Sequence, residues 1–222
     1  MITQRKNTII VMIAAAICCG VMALVDGVIQ PGYAIKSAIK IAVFALLPLV
    51  LTQFFRLTSI RDIFRIRKKG FAIALGLGIG IYLLIIGAWW VSKHWVDFSG
   101  IAGNLTKSAG VSKDNFLYVS LYISFVNSLL EEFFFRGFLF TNLKTNRRLA
   151  YCFSALAFSL YHVAMMIGWF NFWLTGLVLL GLFVGGLIFN ALNEHNDCIY
   201  VSWLTHMFAN FAINTIGFIL LN

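Results

Sequence analysis

Residues 71–91 read FAIALGLGIGIYLLIIGAWWV, and this stretch, which contains no charged side chain, decides the fold. A run of about 20 apolar residues is long enough to cross the hydrocarbon core of a bilayer as an α-helix. The rest of the chain has the same character, because 61% of its 222 residues are hydrophobic and 11% are charged. Soluble domains usually carry about 25% charged residues. The sequence therefore predicts an integral membrane protein and excludes a soluble one.

Further apolar runs lie on both sides of this stretch and are separated by short charged segments. Backbone groups inside lipid must be satisfied within the protein, so runs of this length predict helices. The predicted fold class is an all-α, polytopic transmembrane bundle of about seven or eight spans, the eighth arising if the last run is broken. It forms one integral membrane domain over residues 1–222. The predicted spans are 8–29, 37–55, 71–91, 116–140, 149–170, 172–190 and 198–221.

The net charge of +9 is concentrated between the spans. Basic loops beside a span are typical of the cytoplasmic face, where they meet anionic lipids, and no nucleic-acid-binding motif accompanies them. We therefore expect the lipid bilayer as the partner and no nucleic acid. The largest basic group lies at 56–69, where apolar residues at helical spacing also predict a short amphipathic helix on the membrane surface. Its basic residues are Arg56, Arg61, Arg65, Arg67, Lys68 and Lys69.

The distribution of lysine and arginine also predicts the orientation of the chain. With a cytoplasmic N-terminus, the basic residues inside are those of 56–69 together with Arg5, Lys6, Lys144, Arg147 and Arg148. The fewer residues outside would be Lys36, Lys40, Lys93, Lys107 and Lys113. We therefore expect a cytoplasmic N-terminus, a plasma-membrane location and an external loop over 92–115.

The fourth predicted span contains three charges in the sequence SLLEEFFFRG, residues 128–137. A charge at the centre of a membrane helix costs about 2.5–3.5 kcal/mol. Glu132 and Arg136 are four residues apart, hence neighbours on one helix face, and are predicted to form an ion pair. Glu131 lies about 100° around the helix from Glu132 and is left without a partner. Either it is a structural carboxyl bonded to another helix, or it is functional.

Polar residues in two later spans fall at a similar depth. At about 1.5 Å per residue, Glu131 and Asn210 each lie about 18 Å from the cytoplasmic end of their spans. His162 lies about 20 Å from that end and His206 about 12 Å. A lone histidine in an apolar helix is often only a core residue. Helices that start from the same side, however, bring these groups to one level, so the sequence predicts that they meet.

This set of side chains is sufficient for hydrolysis of a peptide bond. A buried carboxylate can act as a general base on water, and a histidine can share its proton. A second histidine and an asparagine on one helix face can stabilise an oxyanion. Zinc bound by Glu131, His162 and His206 is the alternative, although no local zinc motif is present. We favour catalysis without a cofactor, because Asn210 suits an oxyanion better than a metal.

Three motifs in these spans resemble, in order and spacing, those of the CAAX protease and bacteriocin-processing family, also called the Abi family. They are Glu131-Glu132-x-x-x-Arg136, Phe158-x-x-x-His162 and His206-x-x-x-Asn210. Members of this family are intramembrane endopeptidases related to the type II CAAX prenyl endopeptidase. The resemblance covers the last half of the chain and implies that the catalytic helices lie in 116–221.

The resemblance implies a role for each motif residue. Glu131 looks like the glutamate that activates water, with His162 beside it. His206 and Asn210 look like the oxyanion-stabilising pair. The supporting residues it implies are the ion pair and a packing element, namely Glu132, Arg136 and Phe158.

The resemblance implies a peptide or protein substrate associated with the membrane, and the short chain suggests a prokaryotic member that acts on a bacteriocin or pheromone precursor. Two other functions stay open: a non-enzymatic bacteriocin-immunity protein and a proton-coupled transporter. Against transport, all ionisable intramembrane groups are expected in the C-terminal half, and no inverted repeat is visible. Replacing Glu131 by Gln separates these hypotheses, because only catalysis must vanish while the fold persists.

Overall fold

The computed structural model describes residues 2–96, 98, 103 and 111–221, and these contain helices and no strand. We number the helices α1 to α8 in chain order. They are α1, Ile2–Leu24 continued by the π-helical turn Val25–Ile29; α2, Tyr33–Ile41, Ala42–Leu46 and Leu47–Phe55; α3, Ile60–Ile63; α4, Phe71–Ser92; α5, Phe116–Leu121, Tyr122–Asn127, Ser128–Glu132, Phe133–Phe140 and Thr141–Leu143; α6, Arg147–Tyr161; α7, Phe172–Asn196; and α8, Ile199–Leu221.

The all-α polytopic fold is confirmed. Six helices are long and apolar enough to cross a membrane: Gln4–Ile29, Tyr33–Phe55, Phe71–Ser92, Arg147–Met166, Phe172–Asn196 and Ile199–Leu221. Helix α5 is long enough but is not among the six, because its centre carries the three charges of the SLLEEFFFRG stretch. Its place in the bundle explains how it tolerates them, since every side chain from 130 to 140 is buried.

Helix α5 lies at the centre of the described bundle, in contact with α1, α2, α3, α6, α7 and α8. Aromatic rings fill the space around it. Phe44 of α2 stacks on Phe134 of α5 with ring centroids 4.1 Å apart, and Phe135 meets Phe158 of α6 edge to face at 5.3 Å. Aromatic pairs of this kind bury large apolar areas. The charges of α5 are therefore shielded from lipid by protein.

Local sequence explains where several helices begin and end. Gln30 has a left-handed backbone with φ of 45° and ends α1, and α2 starts directly after Gly32. The Asn146 side chain caps α6 by accepting a hydrogen bond from the Leu149 backbone N–H at 3.1 Å. Asn171 caps α7 in the same way. Such caps satisfy backbone N–H groups that the first helical turn leaves unpaired.

Several predicted span boundaries differ from those of the helices, and α1, for example, begins at Ile2 rather than at 8. Helix α2 begins at Tyr33 rather than at 37, because its polar first turns pack against other helices instead of lying in a loop. Helix α6 ends at Tyr161 instead of extending to 170, and a short 3-10 turn, Ala164–Met166, follows. Helix α7 continues to Asn196, beyond the predicted 190.

The basic segment 56–69 is less helical than predicted, because only Ile60–Ile63 forms a helix. Packing explains this difference. Ile63 is buried against the glycine face of α5, where a Cβ on Gly137 would lie 2.5 Å from Ile63 Cγ2. Phe64 stacks on Phe133 with centroids 5.2 Å apart. The segment therefore docks on α5 through these apolar residues, while its basic side chains are exposed.

The assignment of Lys36 and Lys40 to an external loop is wrong. Both lie in α2, and Lys40 is only 4% exposed. Each ammonium pairs with a carboxylate of a neighbouring helix, which removes the need to reach water. Lys107 of the predicted loop 92–115 lies outside the described residues, as do the other positions of that loop except 92–96, 98, 103 and 111–115.

Candidate active site

The candidate site is centred on Glu131 in α5, a side chain that is 3% exposed. Its short α-helical stretch, Ser128–Glu132, lies between two π-helical stretches, Tyr122–Asn127 and Phe133–Phe140. A π-helical turn holds one more residue than an α-helical turn and therefore changes which side chains face the bundle. Such turns occur frequently at functional sites.

One oxygen of Glu131 is held by two donors. Lys40 Nζ of α2 donates to Glu131 Oε1 at 2.5 Å, and Asn127 Nδ2 donates to the same oxygen at 3.0 Å. Lys40 also donates to Asn127 Oδ1 at 2.5 Å, which closes a ring of three hydrogen bonds. Short bonds between an ammonium and a carboxylate are among the stronger hydrogen bonds in proteins. Oε1 is therefore fixed, and Oε2 is the oxygen that faces the rest of the site.

Two histidines face Glu131 Oε2. His162 Nε2 lies 4.0 Å from this oxygen and His206 Nε2 lies 3.7 Å from it. These separations are too long for direct hydrogen bonds. Each suits a water that bonds to Glu131 Oε2 and to a histidine Nε2 at about 2.8 Å. The structure thus brings together Glu131, His162 and His206 from α5, the end of α6 and α8, at one level in the bundle.

The other nitrogen of each ring is bonded, which orients the ring. His162 Nδ1 lies 2.7 Å from the Phe158 carbonyl oxygen, and this oxygen can only accept. His206 Nδ1 lies 2.9 Å from Glu132 Oε1. Hydrogen on both Nδ1 atoms follows from these acceptors. In the neutral rings Nε2 is consequently an acceptor directed at the space beside Glu131.

Glu132 and Arg136 form the predicted ion pair, with Arg136 Nη1 donating to Glu132 Oε1 at 3.1 Å, and both side chains are fully buried. Arg136 Nη2 also donates to the Gly186 carbonyl at 3.3 Å. The guanidinium lies over the Phe158 ring, 4.4 Å from its centroid. Phe158 also meets the His206 ring at 90° and 5.7 Å. It therefore packs between the ion pair and the histidines.

Asn210 lies one turn after His206 on α8, but its described hydrogen bond goes elsewhere. Its Nδ2 donates to the Ile123 carbonyl of α5 at 3.2 Å. Ile123 belongs to a π-helical stretch of α5. One of the two amide hydrogens of Asn210 is thus committed to α5, and the other is the one that a substrate could use.

The charges of the site balance in pairs. Lys40 pairs with Glu131, and Arg136 pairs with Glu132. Paired charges cost far less inside a protein than isolated ones, and breaking a buried pair is strongly destabilising. Glu131, for which the sequence predicts no partner, therefore has one in Lys40, which lies in the N-terminal half of the chain.

Sequence reasoning missed Lys40 and Asn127. The depth of Lys40 in its span could have identified it, because Lys40 lies 15 residues before Phe55. At about 1.5 Å per residue this is about 22 Å from the end of α2 that the sequence predicts to be cytoplasmic, close to the depth predicted for Glu131. Asn127 lies one turn before Glu131, on the same helix face. The prediction that all ionisable intramembrane groups lie in the C-terminal half is wrong, because Asp26 and both lysines of α2 lie in spans.

The zinc alternative requires Glu131, His162 and His206 around one ion. Ligands of a tetrahedral zinc at about 2.0–2.2 Å lie about 3.3–3.5 Å from one another. Here the Nε2 atoms lie 4.0 and 3.7 Å from Glu131 Oε2, and an ammonium is bonded to Oε1. Within the described residues no group of three or more His, Cys, Asp or Glu side chains is arranged to hold a metal. In this arrangement the three side chains do not fit zinc.

Comparison with known proteins bears on the same part of the chain. Residues 113–212 match the family model of the type II CAAX prenyl endopeptidase, Rce1-like. The match includes all three motifs and confirms the resemblance over this segment. It supports a membrane peptidase, and α1 to α4 lie outside it. No curated protein matches the chain, and no solved structure does.

Proposed function

We propose that this chain is an intramembrane endopeptidase in which Glu131 activates water to hydrolyse a peptide bond of a membrane-associated peptide or protein. The observation that carries the proposal is the division of labour between the two oxygens of Glu131. Oε1 is held by Lys40 and Asn127, whereas Oε2 faces the Nε2 atoms of two histidines. A fixed carboxylate with one oxygen at bridging-water distance from two histidines is the geometry that a general base needs.

In the proposed reaction a water bonds to Glu131 Oε2 and to His162 Nε2. Oε2 removes one proton as the hydroxide oxygen attacks the carbonyl carbon of the substrate. The resulting oxyanion accepts hydrogen bonds from His206, as an imidazolium, and from the free amide hydrogen of Asn210. When the C–N bond breaks, Glu131 returns the proton to the leaving amine, so that the glutamate ends as it began.

His206 suits the role of donor because its Nδ1–H is bonded to the buried carboxylate of Glu132. This carboxylate stabilises the positive ring, and Arg136, which donates to the same carboxylate oxygen, holds it in place. His162 differs, since its Nδ1 is bonded to a neutral carbonyl. We assign His162 to the water and His206 to the oxyanion on this difference.

The test is cleavage of a membrane-peptide library by purified protein in detergent. Wild type is compared with Glu131→Gln and with Glu194→Gln, a partly exposed glutamate that pairs with Arg147 on the surface of the bundle. We expect cleavage by wild type and by Glu194→Gln, and none by Glu131→Gln in folded form. Equal cleavage by all three proteins would contradict the proposal.

A chelator arm tests the metal alternative in the same assay. We expect cleavage to persist after treatment with a chelator, because the proposed reaction uses only side chains of the chain. Loss of cleavage that zinc restores would assign Glu131, His162 and His206 to a metal instead.

Proton-coupled transport is the second candidate, because two ion pairs connect α2 to other helices, Lys36 to Asp26 of α1 and Lys40 to Glu131 of α5. Ionisable groups inside a membrane also occur in proton relays. Reconstituted liposomes with a pH-sensitive dye distinguish the two functions. We expect no proton flux above that of liposomes with Glu131→Gln, whereas a transporter would give flux without peptide cleavage.

A further inference from the structure

We infer that Lys40 is a positioning residue of the active site. It holds the Glu131 carboxylate so that Oε2, and not Oε1, contacts the water. The inference rests on the proposed function and adds a residue from α2, outside the matched segment 113–212. None of the three motifs contains this lysine.

The surroundings of Lys40 leave its ammonium little freedom. Nζ donates to Glu131 Oε1 and to Asn127 Oδ1, each at 2.5 Å. It also lies over the Tyr161 ring, 4.9 Å from the centroid, and over Phe44 at 5.6 Å. A lysine side chain has four rotatable bonds and can adopt many conformations. The two acceptors and two rings around Nζ hold it in one of them, which indicates that the position of the ammonium is important.

Two of the three hydrogen bonds in the ring go to Glu131 Oε1, and the third, from Lys40 to Asn127, orients one of the two donors. Asn127 accepts from Lys40 through Oδ1, which directs its Nδ2 to Glu131 Oε1 at 3.0 Å. Glu131 would otherwise be free to rotate its carboxyl group and exchange the two oxygens. With Oε1 held from two sides, Oε2 stays between His162 and His206. Reacting groups need this degree of order, because a misplacement of about 1 Å can cost about 100-fold in rate.

A second lysine on the same helix provides a comparison. Lys36 lies one turn before Lys40, but its ammonium pairs with Asp26 of α1 at 2.5 Å. The side chain of Lys36 is 19% exposed, whereas that of Lys40 is 5% exposed. Of these two ammonium groups, only that of Lys40 is bonded to Glu131. Lys36→Met is therefore a matched control that removes the same group from the same helix.

The experiment measures kcat and KM separately for wild type, Lys40→Met, Lys40→Arg, Lys36→Met and Glu131→Gln, using a peptide that wild type cleaves. Folded fraction is measured by size-exclusion chromatography, and rates are normalised to it. We expect Lys40→Met to lower kcat by about 100-fold with KM within about 3-fold of wild type. Lys40→Arg should restore part of kcat, and Lys36→Met should keep kcat within about 3-fold.

If Lys40 were only a counterion that stabilises the fold, the kinetic results would differ. Folded Lys40→Met with the kcat of wild type would overturn the inference, and so would equal losses in Lys40→Met and Lys36→Met. If Lys40→Met yields no folded protein, Asn127→Leu decides, because it keeps the ion pair and removes one hydrogen bond to Oε1. A fall of about 10-fold in its kcat supports positioning, and an unchanged kcat overturns it.

The same assay separates this inference from the proposed function. Cleavage by Glu131→Gln at the rate of wild type would reject the proposed function itself. Inactive Glu131→Gln together with fully active Lys40→Met would reject only the role of Lys40.

Discussion

His206 donates its Nδ1–H to Glu132 Oε1 over 2.9 Å, and neither residue is more than 5% exposed. This bond fixes the ring so that Nε2 lies 3.7 Å from Oε2 of the adjacent glutamate, Glu131. The neighbouring residues Glu131 and Glu132 of α5 therefore make different contacts. Glu131 Oε2 faces the Nε2 atoms of two histidines, and Glu132 orients the ring of one of them, His206.

Glu132→Gln should damage both stability and catalysis. The substitution leaves Arg136 buried without a carboxylate, and breaking a buried pair in this way costs about 3–5 kcal/mol. His206 also loses its anionic acceptor, so kcat should fall. Thermal unfolding in detergent and cleavage rate measure the two effects.

Glu194→Gln is the matched control, because its pair with Arg147 lies at the surface of the bundle. The double variant Glu132→Gln/Arg136→Met should regain part of the stability, since no buried charge is left unpaired, but should regain no activity. Stability of the single variant equal to that of Glu194→Gln would contradict this view of the buried pair.

Gly186→Ala should destabilise the contact between α6 and α7. A Cβ at this position would lie 3.0 Å from the Cα of Ala155, which is backbone and cannot move aside as a side chain would. Overpacking of this kind typically costs about 1–3 kcal/mol. The shift would also move the carbonyl that accepts from Arg136. Unfolding of the purified protein in detergent measures the loss.

Gly181→Ala lies on the same helix and serves as the control, because a Cβ there meets nothing within 4 Å. Alanine favours a helix over glycine by about 1 kcal/mol, so this variant should be as stable as wild type or slightly more stable. Equal stability of the two alanine variants would contradict the expected cost of overpacking at the contact between α6 and α7.

Phe158→Leu should weaken the support of the site. The ring lies 4.4 Å from the Arg136 guanidinium, and such desolvated cation–π contacts contribute about 2 kcal/mol. Leucine keeps the residue apolar but removes this contact and the edge-to-face packing on His206. We expect lower stability and a lower kcat, measured as above. Phe172→Leu is the control, because its ring is 82% exposed, and a loss as large as in Phe158→Leu would contradict a special role for Phe158.

The meeting of Glu131, His162 and His206 could be predicted from the sequence. Helical rise is constant, so depth follows from residue number once the spans and the side from which they are counted are known. The structure places His162 Nε2 and His206 Nε2 each within 4.0 Å of Glu131 Oε2. The pair of Glu132 and Arg136 could be predicted as well, because it depends only on spacing within one helix.

The positive-inside count does not identify Lys40 as a partner of Glu131, although its depth in the span is similar. A lysine near the end of a span usually extends to water, and the positive-inside count treats it as part of a loop. Which helices become neighbours depends on tertiary packing, and only this packing brings the ammonium to Glu131. The same holds for Asp26 and Lys36, which pair between α1 and α2.

The hydrogen-bond partner of Asn210 could not be predicted from the sequence either. Its position on the face of His206 follows from a spacing of four residues. Its acceptor is the Ile123 carbonyl, in a π-helical stretch of α5 for which the apolar pattern gives no indication. The role of Asn210 therefore stays a prediction that needs its own experiment.

Asn210→Ala should lower kcat by about 10²–10³-fold, the usual effect of removing one donor to an oxyanion. Asn214→Ala is a close control, because Asn214 lies one turn further along α8 and also donates to α5, to the Ser120 carbonyl at 3.2 Å and to Ser124 Oγ at 3.0 Å. Each hydrogen bond lost between α8 and α5 is worth about 1 kcal/mol. The unfolding temperature of Asn214→Ala should thus fall at least as much as that of Asn210→Ala, while only Asn210→Ala loses activity. Similar losses of kcat in both variants would make Asn210 a link between helices, and His206 would then be the remaining candidate for the oxyanion.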